Sequence, residues 1–226
     1  MIPYRLLLIL SIFLLNLPCD AQTYLGWKGG INRSHSALLF DLQPRTITST
    51  GDLFGFYFGL PFEYQLNDLV NFIPEVALVS EGSVVSVSIQ EEERTYNNLI
   101  LYAKVPLVAK LKLLKNNDYE FGIVGGVVPA YALAIKSFYF SSNSFSRSVE
   151  EDTDFEKAGV RRYDLGLVMG LNTEKVIAKG LKLTIDLRYH LGLLDIQAIS
   201  QLTNTTESLN LTIGLLTPIF KGKKKK

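Results

Sequence analysis

Apolar and polar residues alternate with period two along most of this chain. Residues 52–66, DLFGFYFGLPFEYQL, put Phe54, Phe56, Phe58, Leu60, Phe62, Tyr64 and Leu66 on one face. Leu53, Gly55, Tyr57, Gly59, Pro61, Glu63 and Gln65 fall on the other. Successive strand side chains point to opposite faces, so the segment predicts a strand with one greasy face and one small or polar face. The same alternation recurs at 23–32, 69–81, 98–113, 119–134, 162–172, 181–194 and 207–220. Eight strands follow, most of them longer than the roughly 5–6 residues typical of globular proteins. A membrane barrel needs roughly 9–11 residues per strand. The connections alternate too. Segments 33–51, 82–96, 137–160 and 195–206 are long and polar, whereas 67–68, 114–118 and 173–180 are short and carry turn residues. Long loops on one side and tight turns on the other predict an all-β, eight-stranded antiparallel up-and-down transmembrane β-barrel. An even strand count puts both termini on the tight-turn, periplasmic side.

Period alone does not choose which face points inward. A soluble barrel buries its apolar face, and an outer-membrane barrel exposes it. The continuous apolar faces, rimmed by Tyr64, Tyr119, Tyr163 and Tyr189, fit lipid and an interfacial aromatic girdle. The opposite faces are rich in Gly and carry both signs of charge: Glu63, Glu75, Lys104, Lys110, Glu120, Asp164, Asp186 and Arg188. Eight strands leave a lumen that side chains fill. Glu75, Lys104, Asp164, Asp186 and Arg188 are therefore expected to form a structural ion network in that lumen. An open pore is not expected at this strand number.

The N-terminus is an export leader. Met1–Arg5 precedes the apolar run Leu6–Leu17, and Pro18-Cys19-Asp20-Ala21 supplies small residues before a cleavage point after Ala21. Pro18 and Asn16 fit an acylation motif at Cys19 poorly. Cys19 is the only cysteine, so a chain cleaved after Ala21 has no disulfide, no thiolate nucleophile and no Cys-bound metal. The expected organisation is a signal peptide at 1–21, a barrel at 22–220 and a polybasic tail at 221–226, where five of six residues are Lys. Net charge is +1 over 226 residues, and mean hydropathy is +0.18. That balance argues against a nucleic-acid partner.

Candidate chemistry is sparse. The two histidines are His35 and His190, and His190 shares a strand face with Asp186. Ser200 and Ser208 are conceivable nucleophiles for a lipid-modifying enzyme, but no elbow or triad spacing supports one. No zinc spacing, phosphate loop or dinucleotide fingerprint occurs. No catalytic residue, cofactor or metal is expected. The acidic runs Glu91-Glu92-Glu93 and Glu150-Glu151-Asp152-Thr153-Asp154 read as a solvated rim or as a surface for divalent cations or cationic partners.

Several strand motifs carry a resemblance. They are Gly26-Trp27-Lys28-Gly29-Gly30-Ile31-Asn32, Phe58-Gly59-Leu60-Pro61-Phe62-Glu63-Tyr64, Ile73-Pro74-Glu75-Val76 and Leu101-Tyr102-Ala103-Lys104-Val105-Pro106-Leu107. Asp164-Leu165-Gly166-Leu167-Val168-Met169-Gly170 and Leu187-Arg188-Tyr189-His190-Leu191-Gly192-Leu193 complete the set. Together they resemble the PorT-like outer-membrane β-barrel family common in Bacteroidetes, with Ala103-Lys104 where that family usually has Leu-Glu. The resemblance implies an outer-membrane barrel of about eight strands and no shared enzymatic activity. The expectation is thus a monomeric, non-enzymatic outer-membrane barrel in contact with lipid. Its long loops or its lysine tail would meet protein partners. The alternatives are an accessory component of a secretion or envelope-assembly machine, a secreted lipocalin-like small-ligand carrier with its faces inverted, and a membrane enzyme acting on lipid.

Overall fold

β-branched and aromatic residues at every second position favour extended chain, and the pleat sends them to one face. The computed structural model describes residues 22–36, 46–89, 92–116, 118–141, 144–150, 155, 160–178, 180–195 and 205–220. Ten strands form: β1 Thr23–Ser36, β2 Thr46–Gln65, β3 Val70–Ile89, β4 Glu92–Lys104, β5 Leu107–Lys115, β6 Tyr119–Ser141, β7 Ser144–Glu150, β8 Tyr163–Ala178, β9 Leu181–Gly192 and β10 Thr206–Phe220. All described pairings are antiparallel, and β1 pairs with both β2 and β10, which closes the sheet into a ring.

The ring has eight staves because β4 and β5 form one of them. Both pair with β3 on one side and β6 on the other. Val105 and Pro106 interrupt the stave, since proline has no N–H to donate. The neighbours bridge the break: Glu75 N donates to Pro106 O at 2.9 Å, and Val105 N to Pro129 O at 2.9 Å. β7 pairs with the far end of β6, on the edge that β8 takes lower down, and so extends that side of the wall.

The greasy faces point outward. Phe54, Phe56 and Phe58 are 71%, 51% and 45% exposed, and Trp27, Ile31, Met169, Leu187 and Ile213 share that outer belt. Water would not tolerate so large a continuous apolar patch, whereas hydrocarbon requires it. The lumen holds the polar faces. This is the reverse of what a soluble lipocalin-like carrier needs. Tyr119, Tyr163 and Tyr189 stand in the exposed girdle, but Tyr64 is buried. It lies at the end of β2, in register between Thr23 and Phe72.

Three expected loops are partly strand. β2 starts at Thr46, β3 runs to Ile89 and β4 starts at Glu92, so most of 82–96 is a hairpin. β6 extends to Ser141, into the segment read as loop 137–160. β8 runs to Ala178 through most of the expected turn 173–180. The cause is local: Val84, Val85, Val87 and Ile89 keep favouring extended chain after the lipid-facing pattern ends. β2, β3 and β6 have 20, 20 and 23 residues, about twice what crossing needs. β9 and β10 have 12 and 15. The wall is tall over β2–β6 and short over β8–β10. The leader, Cys19, Glu91, Ser200, the lysine tail and most of the acidic run after Glu150 lie outside the described residues.

Candidate functional site: a charged lumen

Inward parity on eight staves brings charges from distant parts of the sequence into stacked layers. The middle layer joins β1, β2, β3, β8 and β9. Lys28 Nζ lies 2.7 Å from Glu75 Oε2 and 3.2 Å from Asp186 Oδ2. Arg188 reaches the same two carboxylates, Glu75 at 3.0 Å and Asp186 at 3.1 Å. Tyr57 Oη donates to Glu75 at 2.7 Å, and Asn172 Nδ2 donates to Asp186 at 2.9 Å. Two cations and two anions cancel, and every carboxylate also accepts a neutral hydrogen bond. That is the geometry a buried ionic group needs. Gly59 makes room for it, because a Cβ there would strike the Glu75 carboxylate.

The layer nearest the tight turns gathers Glu63, Lys110, Glu120, Glu174 and Lys182. Lys182 lies 3.1 Å from Glu63 and 2.8 Å from Glu174. Lys110 pairs with Glu174 and lies 3.6 Å from Glu63. Asn71 donates to Glu63, and Lys182 sits 4.0 Å over the Tyr24 ring. Ligand oxygens of Glu63, Glu120 and Glu174 lie within 4.8 Å of one another, a spacing a metal could bridge. Lys110 and Lys182 already stand among them as counter-charges, so the cluster is an ion-pair layer.

The upper layer is sparser. Lys104 pairs with Glu81 at 2.6 Å, and Ser208 Oγ donates to Glu81 at 2.7 Å. Asn32 Nδ2 donates to Asn210 Oδ1 at 2.7 Å. Asp164 accepts from Thr206 at 2.9 Å. His190 is buried with neither ring nitrogen hydrogen-bonded. Gly166 faces its ring, where a Cβ would collide with Nε2. Above this layer Phe155 packs on Ile100, Tyr102, Ala130, Ala132 and Ile135, with Arg162 stacked 4.3 Å over its ring.

Of the five residues expected to form one network, the structure brings together Glu75, Asp186 and Arg188. Lys104 takes Glu81 instead, and Asp164 meets Thr206 rather than a cation. Lys28, Glu81, Glu174 and Lys182 are members that the sequence reading missed. Lys28 and Lys182 lie on inward faces by simple parity, which was a usable signal. Glu174 sits in a segment read as a turn. Ser208 stands opposite His190 in the β9–β10 register, but its hydroxyl goes to Glu81. No Ser–His pair forms among the described residues.

Between the layers the free space is small. Voids of about 20 Å³ and 10 Å³ lie beside Arg188–His190 and beside Lys28–Glu63. Each holds about one water at most.

The model of the outer membrane protein beta-barrel domain matches residues 21–198. The chain belongs to that family, and it is an outer-membrane β-barrel protein. Among solved structures it is similar to OprG from Pseudomonas aeruginosa, at 14% identity over 89% of this chain and 97% of that one, with a TM-score of 0.40. It is also similar to Ail of Yersinia pestis in complex with the heparin analogue sucrose octasulfate, at 14% identity over 87% and 99%, TM-score 0.39. Neisserial surface protein A matches at 13% over 87% and 97%, TM-score 0.38. No protein with a curated description matches the chain.

Proposed function

We propose that this protein is a closed, non-enzymatic barrel that presents a surface, with its tall β2–β6 wall and adjoining loops as the part that meets partners. The observation that carries the reading is the lumen. Ion pairs occupy it at mid-height, and the voids beside Arg188–His190 and beside Lys28–Glu63 are about 20 Å³ and 10 Å³. Among the described residues the one serine opposite His190, Ser208, gives its hydroxyl to Glu81. The binding capacity therefore rests with the ends. Barrels of this kind keep short turns periplasmic, which supports termini in the periplasm and the tall wall outside the cell. Sec export with cleavage after Ala21 and a monomeric state fit this picture. Within the family, the strand motifs favour the PorT-like, Bacteroidetes-type group.

Reconstitution in planar bilayers, paired with pull-downs from envelope extract, tests the reading. Wild-type protein should show no stepwise conductance. Trimming 83–89 together with 92–96 should leave a folded barrel and remove surface partners. Stepwise conductance would overturn the closed lumen. A secretion or assembly complex that still co-purifies after trimming would shift the role to that of an accessory subunit. Altered lipid A in cells carrying wild-type protein, lost on replacing His190, would make it an enzyme.

A further inference from the structure

The lowest ion layer opens onto a cavity of about 260 Å³ at the tight-turn mouth, lined among others by Tyr24, Lys112, Lys115, Glu120, Glu174 and Lys182. Pockets for drug-sized ligands begin near ~300 Å³, so an occupant here is small. Lys112 enters from β5 and is 6% exposed. Its ammonium has no ion pair and no side-chain hydrogen bond among the described residues, although its neighbour Lys110 has three carboxylates around it. A lysine this deep ordinarily has a partner. On the same cavity, Glu120 is only loosely held. Its Oε2 lies 3.5 Å from Lys110 and 4.0 Å from Lys182, and it accepts no hydrogen bond. The cavity thus presents one unpaired cation and one under-used carboxylate.

The charge count narrows the ligand. Glu63, Asp118, Glu120 and Glu174 face Lys110, Lys112, Lys115 and Lys182, four of each sign, so the group is neutral. A ligand bearing both signs can engage Lys112 and Glu120 at once, and one of a single sign can engage only one of them. We propose that this mouth binds a small zwitterion of phosphoethanolamine type, its oxyanion on Lys112 and its ammonium on Glu120. A free phosphoethanolamine ester and a phosphatidylethanolamine headgroup share that chemistry. The site stands on the lumen geometry. Only its assignment to the periplasmic side rests on the orientation proposed above.

The test is an amide chemical-shift titration of the folded barrel in a non-ionic detergent. The probes are O-phosphoethanolamine, glycerol 3-phosphate and ethanolamine. O-phosphoethanolamine should saturate one site, and the two probes that carry one sign of charge only should bind at least about tenfold more weakly. Lys112→Gln and Glu120→Gln should each weaken O-phosphoethanolamine by at least about tenfold, and Lys112→Arg should retain it. A boiled-against-unboiled gel establishes that each variant is folded. Lys112→Gln removes an unpaired buried charge and should fold at least as well as wild type. No saturation by O-phosphoethanolamine, equal binding of glycerol 3-phosphate, or indifference to Lys112→Gln would overturn the site. Nanodiscs separate the sources. Loss of free-probe binding in phosphatidylethanolamine discs, with retention in phosphatidylglycerol discs, assigns the lipid headgroup. Retention in both assigns the soluble ester. Conductance in bilayers would sink the closed-lumen reading and leave this site standing. Loss of probe selectivity would do the opposite.

Discussion

At mid-height the lumen is shut by Lys28, Glu75, Asp186 and Arg188, four charges from β1, β3 and β9 that approach one another at 2.7 to 3.2 Å. A few residues higher it is shut by Phe155, a side chain from outside the ring lying on Ile100, Tyr102, Ala130, Ala132 and Ile135. The two closures fail in different ways. A buried ion layer is all or nothing, because removing one member leaves another charged and dry. An apolar cap is a sum of many small contacts, each of which can be lost without stranding a charge. The middle layer therefore belongs to the barrel's stability, and the cap belongs to access from above.

The sharpest break of that contrast is Arg188→Leu. It strands Glu75 and Asp186 with Lys28 as their only cation and should cost about 3–5 kcal/mol. Urea unfolding in detergent, followed by the boiled-to-unboiled gel shift, measures it. Replacing the whole layer at once (Lys28→Met, Glu75→Leu, Asp186→Leu, Arg188→Met) should recover most of the loss, since well-packed apolar groups replace buried ion pairs at little cost. Failure of the quadruple variant to recover would mean that the layer also specifies strand register.

Gly59→Ala probes the same layer through space instead of charge. Its Cβ would run into the Glu75 carboxylate and crowd the Tyr57 ring. Overpacking there should cost about 1–3 kcal/mol. Gly166→Ala makes the matching intrusion one layer up, against His190. The ring has a void of about 20 Å³ beside it and no hydrogen bond to lose. It should therefore cost less than Gly59→Ala in the same unfolding assay. Equal costs would show that the upper layer is as rigid as the middle one.

Phe155→Ala should move global stability by under about 1 kcal/mol, because Phe155 lies outside the paired staves. Its effect should appear locally. Ala132 N donates to Arg162 O at 2.7 Å, across the junction between wall and cap. Hydrogen exchange at Ala132 should quicken in Phe155→Ala while exchange at Asp186 stays slow. Parallel quickening at both would merge cap and ion layer into one cooperative unit.

The strands were readable because side-chain alternation survives any arrangement of neighbours. Residues 52–66 announce their two faces without help from the rest of the chain. The choice of outward face was readable as well, from Gly and mixed charge gathered opposite Phe54, Phe56 and Phe58. The pairing of the lumen charges was not. Lys28 meets Asp186 across 158 residues, and Arg188 meets Glu75 across 113. Which charges meet depends on the stagger of each stave against the next, and no single segment encodes it. Lys104 illustrates the limit: its inward face was legible, yet its height sets it beside Glu81 and not Asp186. The tall wall went unread for another reason. Ser83–Ile89 mixes Ser83, Ser86 and Ser88 with its Val and Ile, which weakens the apolar contrast that marks a strand while keeping the β-branched residues that make one.

The smallest effect is expected at the rim, where Arg33, His35 and Asp52 meet at the loop-side ends of β1 and β2. Arg33 pairs with Asp52, and His35 Nδ1 lies 3.2 Å from its other oxygen. The Arg33 hydrogen bond holds the Asp52 carboxyl below its ordinary range. A carboxyl lowered on folding adds stability above its unfolded value and loses it as the pH falls through the folded one. Any contribution should thus be complete at neutral pH and fade only in acid, below the ordinary carboxylate range. Water surrounds this cluster and screens it, unlike the middle layer. Asp52→Asn should leave the unfolding midpoint at neutral pH within error of wild type, and in acid the two curves should coincide. A clear loss at neutral pH, comparable with Gly59→Ala, would mean that the rim cluster is shielded from solvent by the loops above it, and the contrast between dry lumen and wet rim would then fail at its upper edge.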